Sequence, residues 1–106
     1  MKNIILIFDS ADNQVVEVTL EINGKKSMIS RKYKGWSSQL LLPMIDRILK
    51  LNKISPKDLS EIRVNSGPGS FTGVRVGVTV ANLLGWYLNI PVNGKKIPIL
   101  HEYDVK

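Results

Sequence analysis

Three glycines in one short loop carry the spacing that most suggests a binding site in this chain. Gly67, Gly69 and Gly73 lie between a strand-like run and a long apolar, helix-like run. Such a loop can hold a phosphate group, because its backbone N–H groups and the start of the following helix point at the anion. The dinucleotide form of the motif follows the first strand and has an acid about 20 residues downstream. Here residues 91–96 contain no acid, and no Gly-Lys-Ser/Thr sequence follows the loop as in a P-loop.

A carboxylate at the end of the first strand-like run is the second candidate for chemistry. Asp9 could bind a metal, as such an acid does in nucleases of the ribonuclease H fold, but those sites need several convergent carboxylates. Here Asp12 lies in a turn and Asp46 lies on a predicted helix. The later strand ends in Asn65 and Ser66 instead of an acid. Two interpretations of Asp9 therefore stay open, a turn-capping residue and the remnant of a phosphate-loop acid.

Histidine and cysteine chemistry is nearly excluded by composition. The chain has no cysteine and one histidine, His101, which we expect at the surface. Without cysteine there can be no disulfide, Fe–S cluster or thiolate zinc site, and a reducing cytoplasm fits. One histidine near the end of the chain gives no credible Ser/His/Asp set. We expect no cofactor and no metal.

Length and charge indicate a single basic domain. The 106 residues, of which 43% are hydrophobic, can fill one core. No apolar run approaches the ~18 residues needed to cross a bilayer. The net charge is +6, and part of the excess is local, at Lys25, Lys26, Arg31, Lys32 and Lys34. This segment is either a strand edge guarded by lysines or a contact for nucleic acid or an acidic partner.

The elements that must position these residues follow from hydrophobic periodicity and turn signals. Asn23-Gly24 is a two-residue hairpin signal, so three antiparallel strands should open the chain. Ser55-Pro56-Lys57-Asp58 should form a short capped turn. Pro43 should either kink the first helix or mark its start. The predicted order is β-β-β-α-β-α-β in a mixed sheet, with strands at 3–8, 14–22, 25–33, 59–65 and 89–92, a further extended stretch at 97–100, and helices at about 37–52 and 70–88.

The second predicted helix carries small residues at every fourth position and is apolar nearly all round. The small residues are Gly73, Gly77, Ala81 and Gly85. Because glycine costs roughly 1 kcal/mol against alanine inside a helix, we expect the missing side chains to permit close approach of another backbone. A helix that is apolar on every side is normally buried on more than one side. One small sheet cannot cover it, so the sequence predicts a partner.

Three stretches of the chain resemble the TsaB (YeaZ) family, which serves the threonylcarbamoyl modification of adenosine 37 in tRNA. Residues 7–10 read Ile-Phe-Asp-Ser, and residues 38–46 read Ser-Gln-Leu-Leu-Leu-Pro-Met-Ile-Asp. The most specific stretch is Ser-Gly-Pro-Gly-Ser-Phe-Thr-Gly-Val-Arg-Val-Gly at residues 66–77, and residues 89–92 also match. The chain departs from the family at Ser37, where a histidine is usual, and at residues 9–11, which read Asp-Ser-Ala where Asp-Thr-Ser is common, so that a hydroxyl is lost.

This resemblance implies an α/β fold, a single lobe of the actin-like ATPase (ASKHA, ribonuclease H-like) type with a mixed five-stranded sheet. Family members have two lobes, so residues 1–106 are expected to form the N-terminal lobe, with the second lobe absent. An actin-like nucleotide site lies between two lobes, so this chain alone should bind ATP poorly. Asp9 and Ser10 would be a vestigial phosphate loop.

The function that the resemblance implies is a cytoplasmic, non-catalytic scaffold for a TsaD-type transferase. The partner would be that enzyme, in a heterodimer, or a second copy in a homodimer, with a TsaE-type ATPase bound indirectly and tRNA at most through the complex. The implied interface residues are Leu41, Met44, Ile45, Ile48, Gly73, Val74, Gly77, Val78, Ala81, Leu84 and Gly85. Two alternatives remain, a minimal nucleotide- or acyl-adenylate-binding domain using the glycine loop, and direct tRNA contact through the basic segment at residues 25–34.

Overall fold

The first three strands form an antiparallel meander. The computed structural model describes residues 3–12, 14–33, 38–69 and 71–96. Strands β1 (Ile4–Asp9), β2 (Val15–Ile22) and β3 (Lys25–Lys32) follow one another in this meander. Asn23 and Gly24 form the predicted β2–β3 turn, with φ angles of 50° and 90°.

Two helices and a fourth strand complete the described fold. Helix α1 (Ser38–Leu51) leads through a 3-10 helix (Pro56–Asp58) to strand β4 (Glu61–Val64) and helix α2 (Phe71–Leu88). Helix α1 continues through Pro43, and the Asp58 carboxylate accepts a hydrogen bond from the Ser55 N–H at 3.0 Å, as the capped-turn prediction expects.

The sheet is mixed, as predicted, with the strand order β3-β2-β1-β4. Strand β4 pairs with β1 in parallel, so Ile62 lies beside Leu6 and Val64 beside Phe8. The helices lie on one face of this sheet, with α1 over β2 and β3 and α2 over β4 and β1. The core between the layers is fully apolar and includes Phe8, Val18, Leu20, Leu41, Ile48 and Ile62. No helix in the described ranges is long and apolar enough to cross a membrane.

The predicted fifth strand is reduced to one bridge in the described part of the chain. Val92 bridges Ile62 in parallel, and residues 92–95 then turn back, with Val92 and Lys95 exchanging both backbone hydrogen bonds at 2.8 and 3.0 Å. Asn93 and Gly94 have positive φ angles, as this two-residue turn requires. Within the described ranges the sheet therefore has four strands instead of the predicted five, because an Asn-Gly turn ends the pairing at Val92. The extended stretch predicted at 97–100 lies outside the described residues.

Candidate functional site

The glycine loop packs against the turn that follows β1, and this contact explains its small residues. The Ser10 hydroxyl is buried and donates a hydrogen bond of 2.6 Å to the Gly73 carbonyl oxygen in the first turn of α2. A Cβ at Gly77 would lie 2.6 Å from the Ser10 Oγ, and one at Gly69 would lie 2.9 Å from the Ala11 carbonyl oxygen. Real Cβ atoms essentially never approach a heavy atom closer than 3.0 Å. The loop and the helix start can approach β1 only because these side chains are missing.

The small-residue stripe therefore faces the interior of this chain. Gly73, Gly77, Ala81 and Gly85 are all buried within the fold. Where contacts are resolved, the close approach is to this chain itself: Gly73 accepts from the Ser10 hydroxyl, and Gly77 leaves room for the side chains of Ser10 and Val64. The assignment of these small residues to a partner interface stays a prediction, which their burial within the chain does not favour.

The predicted interface residues of α1 are also buried in the chain's own core. Leu41, Met44, Ile45 and Ile48 have side chains that are at most 5% exposed. These four residues belong to the core between α1 and the sheet, so their contact with a partner stays a prediction that this packing does not favour. The remaining three predicted residues, all on α2, are half-buried: Val74, Val78 and Leu84. Their contact with a partner stays a prediction.

The outer side of α2 exposes large apolar side chains that the sequence interpretation did not assign to a site. Leu83 is 46% exposed, Trp86 is 47% exposed and Tyr87 is 79% exposed. We call these three residues the α2 outer face. The helical periodicity of the sequence could have identified these three exposed residues. Once the small residues every fourth position mark the packed side of a helix, residues about half a turn away from them must lie outside.

Asp9 caps a turn and joins two loops. Its Oδ1 accepts a hydrogen bond of 2.8 Å from the Ala11 N–H, and its Oδ2 accepts one of 3.2 Å from the Asn65 side-chain amide. Asp9 also lines a pocket of about 170 Å³ with Asp12 and Glu17. Three carboxylates around one pocket repel a phosphate group. Of the two interpretations of Asp9, the turn cap is the one that these contacts fit.

The vestigial phosphate loop is occupied by contacts within the chain. The Ser10 side chain is 1% exposed, and its hydroxyl is used by the Gly73 carbonyl. It cannot face a phosphate group in this conformation. Among the described residues, no group of three histidine, cysteine or acidic side chains lies close enough together to hold a metal ion. His101, Ser37 and Lys34, named in the sequence analysis, lie outside the described ranges.

The other cations of the basic segment lie on β3, at the edge of the sheet. Lys25, Lys26, Arg31 and Lys32 are all exposed. Lys26 lies 4.0 Å from the Glu21 carboxylate on the neighbouring strand. On the same face of the sheet, Arg63 on β4 pairs with Glu61 at 3.0 Å, and this hydrogen bond raises the pKa of the guanidinium.

Comparisons with known proteins identify relatives of one kind. The family model described as "TsaD: tRNA N6-adenosine threonylcarbamoyltransferase" matches residues 31–96. The tRNA threonylcarbamoyladenosine biosynthesis protein TsaB of Bacillus subtilis strain 168 is 48% identical over 52 residues, which are 49% of this chain and 23% of that protein. TsaB of Buchnera aphidicola subsp. Baizongia pistaciae is 36% identical over 91 residues, covering 86% of this chain and 41% of that protein.

A solved structure has the same fold. YeaZ from Pseudomonas aeruginosa superposes with a TM-score of 0.81 at 28% sequence identity, over 85% of this chain and 42% of that one. The matched part of each of these relatives is less than half of its length, so the chain spans only a fraction of the proteins that it matches.

Proposed function

The chain belongs to the TsaB (YeaZ) family, and from this premise we propose that it takes part in tRNA threonylcarbamoyladenosine biosynthesis as a non-catalytic binding subunit. Its partner is a TsaD-type transferase or a second copy of the chain, bound through the α2 outer face. The chain corresponds to one lobe of its relatives. The activities of those longer proteins come to it only as parts of this proposal.

The exposed apolar surface of α2 is the observation that carries the proposal. Leu83, Trp86 and Tyr87 lie within two turns of one helix and are each about half exposed or more. A tryptophan side chain buries about 200 Å² when it is fully covered. Covering the exposed half of Trp86 would therefore contribute about 2.5 kcal/mol at about 25 cal/mol per Å². Aromatic side chains that become buried are also the commonest binding hot spots.

A binding role rather than a catalytic one is supported by how the loop groups are used. The Ser10 hydroxyl and both Asp9 carboxylate oxygens accept or donate hydrogen bonds that hold the loops and α2 together. The Ser10 hydroxyl is also only 1% exposed, so it does not face a substrate in this conformation. We propose that transfer chemistry and any bound metal belong to the partner, and that this chain needs no cofactor.

The test is a binding measurement with matched variants. The double variant Leu83→Ala/Trp86→Ala truncates two of the three side chains of the α2 outer face. The control, Met28→Ala/Leu51→Ala, truncates exposed apolar side chains elsewhere, at 62% and 64% exposure. We expect the first pair to weaken association with the TsaD-type enzyme by at least about 30-fold, since two hot-spot residues contribute about 2 kcal/mol or more. The control pair should change the affinity less than about threefold.

Sedimentation of the chain alone and with the enzyme separates the two partners by mass. If both double variants weaken association equally, or if Leu83→Ala/Trp86→Ala leaves the affinity for the partner unchanged, the α2 outer face does not carry the contact. Association of the chain only with itself would restrict the proposal to a homodimer. Thermal unfolding of each variant checks that lost binding is not lost folding.

A further inference from the structure

A groove at the sheet edge combines an apolar floor with two arginines. Strand β3 is the last strand of the sheet, and α1 lies over it. Between them Leu40, Pro43 and Met44 line a pocket of about 250 Å³ together with Arg31 from the strand and Arg47 from the helix. We call this pocket the edge groove. It lies on the side of α1 that faces away from α2, because β3 and β4 are at opposite edges of the sheet.

The cations at this edge differ in how they are neutralised. Within the described part of the chain, Lys26 pairs with Glu21 and Lys50 pairs with Asp46 at 2.9 Å. Arg31 and Arg47 make no ion pair with a described residue. Two cations that line one small pocket repel each other, and an anion bound between them removes that repulsion.

The positive charge continues from the groove along the strand. The eight residues of β3 include four cations and no acid, and Lys25 and Arg31 lie on the same face because they are six residues apart. At about 3.3 Å per residue these two cations lie about 20 Å apart, and Lys26 and Lys32 lie on the opposite face of the strand. Lysines that guard an open strand edge explain the charge on the strand itself. They do not explain why an arginine on α1 joins one on β3 across an apolar floor.

We propose that the edge groove is a binding site for RNA. Arg31 and Arg47 contact phosphates, since a guanidinium presents a planar fork that fits two phosphate oxygens. Lys25 extends the contact along the same face of the strand. An unstacked base can lie on a guanidinium plane and cover the apolar floor beside it. An RNA strand supplies both the regular negative charge and the flat apolar surface that this combination needs.

This site does not depend on the α2 outer face. RNA binding can be measured on the chain alone, and its failure leaves the partner proposal untouched. The converse also holds, because the Leu83→Ala/Trp86→Ala variant should bind RNA normally.

The experiment measures the anisotropy of a fluorescein-labelled 17-nucleotide RNA hairpin titrated with the full chain. The groove variant is Arg31→Gln/Arg47→Gln. The matched control is Lys57→Gln/Lys95→Gln, two exposed cations outside the groove that likewise pair with no acid in the described ranges. Both pairs remove the same charge. A third variant, Arg31→Lys/Arg47→Lys, keeps the charge but removes the planar fork.

We expect the groove variant to bind at least about tenfold more weakly and the control to change by less than about threefold. The slope of log affinity against log salt should fall by about 1.4 in the groove variant, about 0.7 for each lost phosphate contact on a single strand. When the salt is raised from 50 to 200 mM, the groove variant should therefore lose about sevenfold less affinity than the unaltered chain loses. The lysine variant should keep the slope and still bind more weakly.

Three results would overturn the proposal. One is the absence of RNA binding by the unaltered chain at low salt. Another is equal weakening in the groove and control pairs, which would reduce the effect to net charge. The third is displacement of the labelled RNA by poly-glutamate as efficiently as by unlabelled RNA, with the two competitors compared at equal concentrations of negative charge. That result would assign the groove to acidic protein segments. Equal thermal midpoints for all variants exclude misfolding as the cause.

Discussion

Replacing Gly77 by alanine should destabilise this protein, although alanine is the better residue for a helix. Gly77 lies in the second turn of α2 and is buried. Its alanine Cβ would lie 2.6 Å from the Ser10 Oγ and 3.2 Å from the Val64 Cγ2. The Ser10 hydroxyl cannot rotate away freely, because it donates to the Gly73 carbonyl oxygen at 2.6 Å. The new methyl group therefore either displaces α2 from β1 or breaks that hydrogen bond.

The magnitude follows from three opposing effects on the free energy of unfolding. Alanine gains about 1 kcal/mol of helix propensity over glycine. Overpacking a tight site costs about 1–3 kcal/mol, and the loss of the buried Ser10–Gly73 hydrogen bond costs about 1 kcal/mol more. The sum is a net destabilisation of about 2 kcal/mol, a large fraction of the roughly 5–15 kcal/mol that stabilises a typical domain.

Urea unfolding monitored by circular dichroism measures this change. The control is the pair Thr79→Ala and Thr79→Gly at an exposed position of the same helix, which gives the propensity difference without a steric contact. The double variant Ser10→Ala/Gly77→Ala removes the oxygen that the methyl meets, and the Ser10 Cβ is then 3.9 Å away, an ordinary contact distance. We expect Gly77→Ala to lower the free energy of unfolding by at least about 1 kcal/mol less in the Ser10→Ala background than in the unaltered chain. A stabilising Gly77→Ala substitution would refute the reasoning, since propensity alone would then decide the outcome.

Two further predictions concern the segments that flank α2. The Asn93 side chain accepts a hydrogen bond from the Val64 N–H at 2.9 Å and donates one to the Val64 carbonyl oxygen at 3.1 Å. Asn93→Gly permits the positive φ of 51° but removes both bonds, so it should lower the free energy of unfolding in urea by about 2 kcal/mol. Asn89→Gly, with a φ of 57° and an exposed side chain, is its control and should cost less than about 0.5 kcal/mol, so equal costs would contradict the role of Asn93. Gly69→Ala should cost about 2 kcal/mol, because the new Cβ meets the Ala11 backbone oxygen at 2.9 Å, and a neutral result in the same assay would show that the loop yields freely.

Local signals in the sequence predicted the elements well. The Asn23-Gly24 turn, the Ser55–Asp58 cap and the span of α2 agree with the structure. Each depends on residues a few positions apart, where backbone preference decides the conformation. The YeaZ likeness confirms the fold class, an α/β lobe with a mixed sheet and helices on it.

The sequence could not show which part of the molecule the small residues approach. The spacing of Gly73, Gly77 and Ala81 indicates a close contact, but the contacting atom belongs to Ser10, 63 residues before Gly73. Such pairing across the fold leaves no periodic signal in a single sequence. The predicted fifth strand is only a bridge between Val92 and Ile62 in the described part of the chain. Ile90 and Val92 have strand-like character, but the Asn-Gly turn after them ends the pairing with β4.

The two sides of α2 have to be understood together. On the inner side, the Ser10–Gly73 hydrogen bond and the clearance at Gly77 hold the helix so close to β1 and β4 that large side chains have no room there. The apolar bulk of the helix must then lie at its margins and outside, where Leu83 and Trp86 remain about half exposed. Exposed apolar surface of this kind lowers solubility unless something covers it. The packing that stabilises this fold therefore creates the surface that a partner would bury. Substitutions at Gly77 should for this reason weaken both folding and association. Substitutions at Trp86 should weaken association alone.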